Sequence, residues 1–171
     1  MRVYTRNGDD GTTTGYDGNE YKKDDHRIEL IGVLDEFLAR LDRAIVELDD
    51  QDKIDIIDSI QDTLWQTAGE LSLGEPGQQA DETIQADDID RLEDTVDEYN
   101  PEISHFIRYR TKPGTALNTC RVDCRRLERR LTPAMRNDDL RPVVYEYINR
   151  LSDALYVLAC SEERRLRAHK D

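Results

Sequence analysis

Between Arg27 and Glu47 apolar residues return at the helical period. Leu30, Ile31, Leu34, Phe37, Leu38, Leu41, Ala44, Ile45 and Leu48 keep an unbroken i, i+3, i+4, i+7 stripe. The same period predicts a second helix from about Lys53 to Leu71, carried by Ile54, Ile57, Ile60, Leu64, Trp65 and Ala68. Gly74-Glu75-Pro76-Gly77-Gln78-Gln79 breaks the pattern and reads as an exposed loop. A short third helix, about Asp87 to Tyr99, turns Ile89, Leu92 and Val96 inward and ends at Asn100-Pro101. Residues 103–114 hold Ile103, Phe106, Ile107 and Tyr109 and read as a brief extended piece closed by a Pro113-Gly114 turn. A fourth helix is expected from about Thr115 to Met135. A fifth, from Pro142 to His169, has Val144, Ile148, Leu151, Leu155 and Leu158 as its stripe. The pattern predicts an all-α five-helix bundle in a single domain, residues 1–171, with residues 1–25 as a polar N-terminal arm.

Composition changes this picture through charge. The chain of 171 residues carries a formal net charge of −14, with 38 Asp and Glu against 24 Lys and Arg. Such a surface repels nucleic acid and anionic membranes, so neither is an expected partner. Asp outnumbers Glu, and lysine is confined to Lys22, Lys23, Lys53, Lys112 and Lys170. That balance suits a protein kept soluble in concentrated salt, where screening removes self-repulsion, and it points to a halophilic source. No apolar run approaches the length of a membrane span, and Met1-Arg2-Val3-Tyr4 leads into a polar loop rather than a signal peptide. A cytoplasmic location is expected. Cys120, Cys124 and Cys160 lack CxxC spacing and fall on apolar helix faces, as buried thiols would.

Against that acidity, Cys120-Arg121-Val122-Asp123-Cys124-Arg125-Arg126-Leu127-Glu128-Arg129-Arg130 is densely basic. Cys120, Cys124, Leu127 and Leu131 line its apolar stripe. Arg121, Arg125 and Glu128 share a neighbouring face, the two arginines roughly 6 Å apart along the axis. Paired guanidinium forks suit phosphate oxygens, and a solvated face held by Arg-Glu pairs satisfies the same spacing. The arm lacks the GxxxxGK[ST] pattern, but Gly8, Gly11 and Gly15 allow turns whose N–H groups face an anion, with hydroxyls at Thr5, Thr12 and Thr13. A loose terminus has the same composition. Asp35, at the edge of the first stripe, either sits in water or meets a cation from another element. His26 and His169 have no ligand-spaced partner and are expected in solvent.

Read together, four stretches carry a family resemblance. They are Tyr4-Thr5-Arg6-Asn7-Gly8-Asp9-Asp10-Gly11-Thr12-Thr13 with Lys23-Asp24-Asp25; Gly32-Val33-Leu34-Asp35-Glu36; Cys120-Arg121 with Cys124-Arg125-Arg126-Leu127-Glu128-Arg129; and Tyr147-Ile148-Asn149-Arg150-Leu151-Ser152-Asp153. In this order, over nearly the whole chain, they resemble the ATP-dependent cob(I)alamin adenosyltransferases of the propanediol-utilisation type. The resemblance implies a homotrimer with ATP between neighbouring subunits. It implies transfer of the 5′-deoxyadenosyl group of ATP to the cobalt of cob(I)alamin, release of triphosphate, assistance by Mg²⁺ and no protein metal site.

By the same resemblance, Thr5, Arg6, Asn7, Gly8 and Thr13 wrap the triphosphate and Lys23 adds a phosphate contact. Arg125, Arg126, Glu128, Arg129 and Asn149 contact the nucleotide, and Arg121 lines the active site. Asp35 pairs across the subunit boundary with the arginine at position 125, making Arg121, Arg125 and Asp35 the catalytic set. A Co(II)-reducing flavoprotein is the implied supplier of cob(I)alamin. The family's Phe-x-x-Pro-Gly-Gly segment is altered here to His105-Phe106-Ile107-Arg108-Tyr109-Arg110-Thr111-Lys112-Pro113-Gly114. His105 takes the phenylalanine position without a gap, Phe106 with a one-residue shift, and Arg108 and Arg110 are extra cations on this corrinoid side. The alteration leaves a second reading open: an ATP-binding trimer, regulatory or structural, that has lost corrinoid transfer.

Overall fold

Asp25 opens the helical part of the chain. Its carboxylate accepts the Arg27 N–H at 2.9 Å and so satisfies an amide that a first helical turn leaves unpaired. The computed structural model describes residues 8–15, 18–72, 84–101, 107–137 and 140–168. Within them lie α1 (His26–Glu47), α2 (Gln51–Ser72), α3 (Ala86–Tyr99), α4 (Lys112–Arg136) and α5 (Pro142–Ala168). All five predicted helices are present. Thr5, Arg6, Asn7, His105, Phe106, His169 and the Gly74–Gln79 loop lie outside the described residues.

The fourth helix starts earlier than its periodicity suggests. Pro113-Gly114 is not a turn: Thr111 caps the helix, its Oγ1 accepting the Gly114 N–H at 3.2 Å. Proline has no N–H to lose in a first turn, so Pro113 begins a helix there without cost.

α4 and α5 form the central pair. α1 packs on α4, α2 on α1, and α3 on α5. Phe37, Leu41, Leu117, Leu127, Leu131, Ile148, Leu151 and Leu155 are buried between them in one core. The three cysteines are buried as expected, two of them where helices approach closely: Cys120 Sγ lies 3.2 Å from Arg40 O and Cys124 Sγ 3.3 Å from Ile148 O. Burial pushes the Cys120 thiol up to about 12, which keeps it inert near neutrality. No helix among the described residues is long and apolar enough to cross a membrane.

One feature departs from a purely helical chain. β1 (Thr12–Thr14) and β2 (Glu20–Lys22) pair antiparallel, Thr13 opposite Tyr21, so the arm contains a small hairpin. Its left-handed glycines are Gly8, Gly11 and Gly18, with φ of 84°, 88° and 80°; the turning role expected of Gly15 falls to Gly18.

Candidate functional site

α4 holds seven Lys and Arg against two carboxylates, and the helical period sorts its arginines into two stripes. One faces α1 and is neutralised there. Arg126 meets Glu36 at 2.9 Å, Arg130 meets Glu29 at 3.6 Å, and Asp123 of the same face meets Arg40 at 3.4 Å. The other stripe, Arg121, Arg125 and Arg129, repeats every fourth residue and is left without comparable acids. Arg121 Nε donates to the neutral amide oxygen of Asn118 at 3.0 Å. Exposed Arg125 reaches Glu128 only at 4.0 Å, and exposed Arg129 makes no ion pair among the described residues. Glu128 instead accepts a hydrogen bond from Asn149 Nδ2 of α5 at 3.0 Å, which brings both to the edge of this stripe.

The described part of the arm is held by its own polar groups. Lys23 Nζ donates to Gly8 O at 2.8 Å, Lys23 N to Gly11 O at 2.9 Å, and Gly11 N to Gly8 O at 3.2 Å. A Cβ on Gly8 would stand 2.5 Å from Thr12 O, so this position needs glycine for space as well as for φ. Asp10 accepts from both the hydroxyl and the amide of Thr12, which holds its carboxyl below the ordinary value. The Lys23 ammonium has three donors, and one is used on Gly8.

The predicted site residues therefore fall into three groups. Gly8, Thr13 and Lys23 belong to the arm. Arg121, Arg125, Glu128, Arg129 and Asn149 belong to the α4–α5 edge, with Arg126 turned to α1. Asp35 is exposed on α1 and makes no ion pair among the described residues. No hydrogen bond or ion pair among those residues joins the arm to the α4 arginines.

Sequence reasoning missed Glu163. It is buried near the end of α5 and accepts from Arg110 N at 2.9 Å, Thr111 N at 2.9 Å and Thr111 Oγ1 at 2.8 Å. Arg167 completes the clamp, with Nε 2.6 Å from Glu163 and its other end donating to Arg108 O at 2.9 Å. The only signal in the chain was an acid pair, Glu162-Glu163, following the buried run Leu158-Ala159-Cys160. The extra cation Arg110 borders a hollow of about 370 Å³ between α1 and the start of α4, with Arg40, Arg43 and Lys112. No group of three or more His, Cys, Asp or Glu among the described residues could hold a metal ion.

Solved structures of PduO-type ATP:corrinoid adenosyltransferases share this fold. A structure of that enzyme from Lactobacillus reuteri, a phenylalanine-to-alanine variant complexed with cobalamin and ATP, superposes with a TM-score of 0.86 at 26% identity, covering 95% of this chain and 94% of that one. A phenylalanine-to-histidine variant of the same enzyme, also complexed with cobalamin and ATP, gives 0.86 at 26% identity, covering 95% and 91%. The chain belongs to the cobalamin adenosyltransferase family, whose model matches residues 3–162. It is 34% identical over 168 residues to the corrinoid adenosyltransferase PduO of Salmonella typhimurium, covering 95% of this chain and 50% of that protein. It is 33% identical over 167 residues to a corrinoid adenosyltransferase of Citrobacter freundii, covering 95% of each. The chain thus spans about half the length of the Salmonella relative and nearly all of the Citrobacter one.

Proposed function

We propose that this chain transfers the 5′-deoxyadenosyl group of ATP to the cobalt of a cob(I)alamin-type corrinoid, as a homotrimer with each ATP held between two subunits. The observation that carries the reading is the weakly paired stripe Arg121, Arg125 and Arg129 in a chain of net charge −14. An acidic protein can hold a polyphosphate only where it concentrates cations, and this face of α4 is such a place. The arm of one subunit, with Gly8, Thr13 and Lys23, would close over the triphosphate bound to the α4 stripe of the next. Asp35, which makes no ion pair among the described residues, would then meet an arginine of that neighbouring stripe.

In the reaction the electron pair of Co(I) forms the Co–C5′ bond while the C5′–O bond breaks, and triphosphate departs with that bonding pair. No protein nucleophile or base is needed. This chain's share is alignment of the two reactants and stabilisation of the leaving group's growing charge. Arg121 and Arg125 would do the second. Mg²⁺ bound with the ATP would neutralise part of the triphosphate charge, and Glu128, 4.0 Å from Arg125, is a carboxylate at the edge of the stripe.

Mixing the protein with MgATP and chemically reduced cobalamin should convert the Co(I) spectrum to that of adenosylcobalamin, with one triphosphate released per corrinoid. ATP binding without that conversion would overturn the transfer reading and leave a nucleotide-binding trimer of regulatory or structural kind. A failure to bind ATP would overturn both.

A further inference from the structure

Val46, Trp65 and Val122 are the large apolar side chains left in solvent among the described residues, exposed by 77%, 61% and 49%. They fall on two faces of opposite charge. α1 and α2 are joined by Leu48-Asp49-Asp50 and pack on one another, and Gln61 Nε2 of α2 donates to Asp42 Oδ1 of α1 at 2.8 Å. In such an antiparallel pair, one turn forward on α2 lies beside one turn back on α1. Trp65 therefore stands level with the turn of α1 that begins at Asp35. The helical period gives the outer face of the pair: Asp35, Asp42 and Val46 from α1, with Asp58, Gln61 and Trp65 from α2. No Lys or Arg falls on it, and its aspartates make no ion pair among the described residues. Val122 belongs to the outward face of α4, one turn before Arg125 and two before Arg129. The partners of that stripe, Asn118 and Glu128, lie on α4 itself, and the partner of Asp42 lies on α2. Neither face is spent on the other within the chain.

We propose that the α1–α2 face receives the α4 stripe of a second copy of this chain, with Trp65 as the apolar anchor seated against Val122. This names the contact surface for the homotrimer reading above and rests on that reading for the number of copies. Charge selects the occupant. In a chain of net charge −14 most of a second copy repels an aspartate-lined face, whereas the α4 stripe brings outward cations with an apolar side chain among them. The two faces differ, so each copy offers one of each and contacts run head to tail, the kind that closes into a ring. Tryptophan and arginine are the residues that most often anchor such contacts. An arginine stacked on the indole through its flat face keeps its in-plane N–H donors free, so one guanidinium can serve both Trp65 and a phosphate.

Trp65 is the single tryptophan of the chain, so intrinsic fluorescence reads this surface alone. The protein is diluted at high KCl with sedimentation alongside. As monomer appears, emission should move to longer wavelength and acrylamide should quench it more strongly. Trp65→Ala should raise the dissociation constant on the order of thirtyfold or more, as loss of an anchoring tryptophan does, with the helical circular dichroism unchanged. Val122→Glu spoils the opposite face and should also weaken self-association. Mixing the two variants leaves one sound face on each partner, so they should pair as heterodimers that neither variant forms alone. Emission and quenching that stay the same in assembled and monomeric protein would overturn the proposal, and this wild-type measurement decides even if Trp65→Ala does not fold. Folded variants that assemble like wild type, or that fail to pair when mixed, would overturn it too. None of these readouts uses nucleotide or corrinoid. A chain that assembles through Trp65 but transfers nothing would overturn the transfer reading alone; a trimer that transfers with Trp65 still in solvent would overturn this proposal alone.

Discussion

Glu162 and Glu163 are neighbours on α5, both buried, and they serve different parts of the molecule. Glu163 fixes the start of α4. Glu162 accepts from Lys53 Nζ at 2.7 Å and from Arg165, tying the first turn of α2 to the last turns of α5. Lys53 is itself buried, also reaches Asp50 at 2.7 Å, and stands 5.2 Å above the Tyr99 ring. Removing one partner of a buried pair leaves an uncompensated charge, so Lys53→Met should cost about 3–5 kcal/mol in urea unfolding. Lys53→Met with Glu162→Leu should recover much of that loss. The signs of the pH dependence follow from the same groups. Burial pushes the Glu163 carboxyl up, but the donors of Thr111 and Arg110 outweigh it and hold the carboxyl below 4.5. Its contribution is complete above that value and is lost as pH falls through the folded value. Burial pulls the Lys53 ammonium down, but Asp50 and Glu162 outweigh it and raise the value above 10.5. That contribution is complete below 10.5 and lost only at higher pH. Unfolding free energy should therefore show a plateau between these limits, and Glu163→Gln should flatten its acid edge.

At the scale of single elements, α4 divides stability from binding by rotation alone. The face turned to α1 spends its charges on α1; the face turned outward keeps them. Arg125→Ala should consequently leave the stability of the subunit's own fold nearly unchanged, since its one ion pair among the described residues is long and its guanidinium half exposed. ATP affinity in the same variant should fall on the order of tenfold or more, because a charge-assisted phosphate contact is lost. A calorimetric titration beside a thermal melt separates the two effects. The helices were legible because each carries a core stripe that no other period explains: Leu34, Phe37 and Leu41, or Leu151, Leu155 and Leu158. The hairpin at Thr12–Thr14 and Glu20–Lys22 was not, because three-residue strands of threonine and charge have no alternation to read. The start of α4 was misread for a local reason. Pro-Gly signals a turn by composition, whereas here a capping threonine and a distant carboxylate hold both residues in a first helical turn. The candidate arginines were legible as a cluster. Which of them are neutralised depended on where α1 lies, and that is a tertiary fact.

For the whole molecule the governing quantity is charge. ATP brings about four negative charges to a chain of net −14, and a trimer would gather three such chains. At low ionic strength the long-range field opposes both steps, assembly and capture of nucleotide. The local field of the α4 stripe favours capture, but only within a few ångströms. Screening treats the two differently. The Debye length shrinks from about 10 Å at 0.1 M salt to about 3 Å at 1 M, which removes repulsion across a subunit before it removes attraction at a contact. Ordinary phosphate binding weakens as salt rises; this protein should do the reverse over the lower part of the range. Sedimentation at increasing KCl should show the trimer growing at the expense of smaller species. MgATP affinity should rise with it to a maximum before screening of the stripe itself takes over. If affinity instead fell steadily from the lowest salt, the long-range field would be negligible beside the stripe. If ATP bound equally to the monomer, the arm and the stripe could not belong to different subunits.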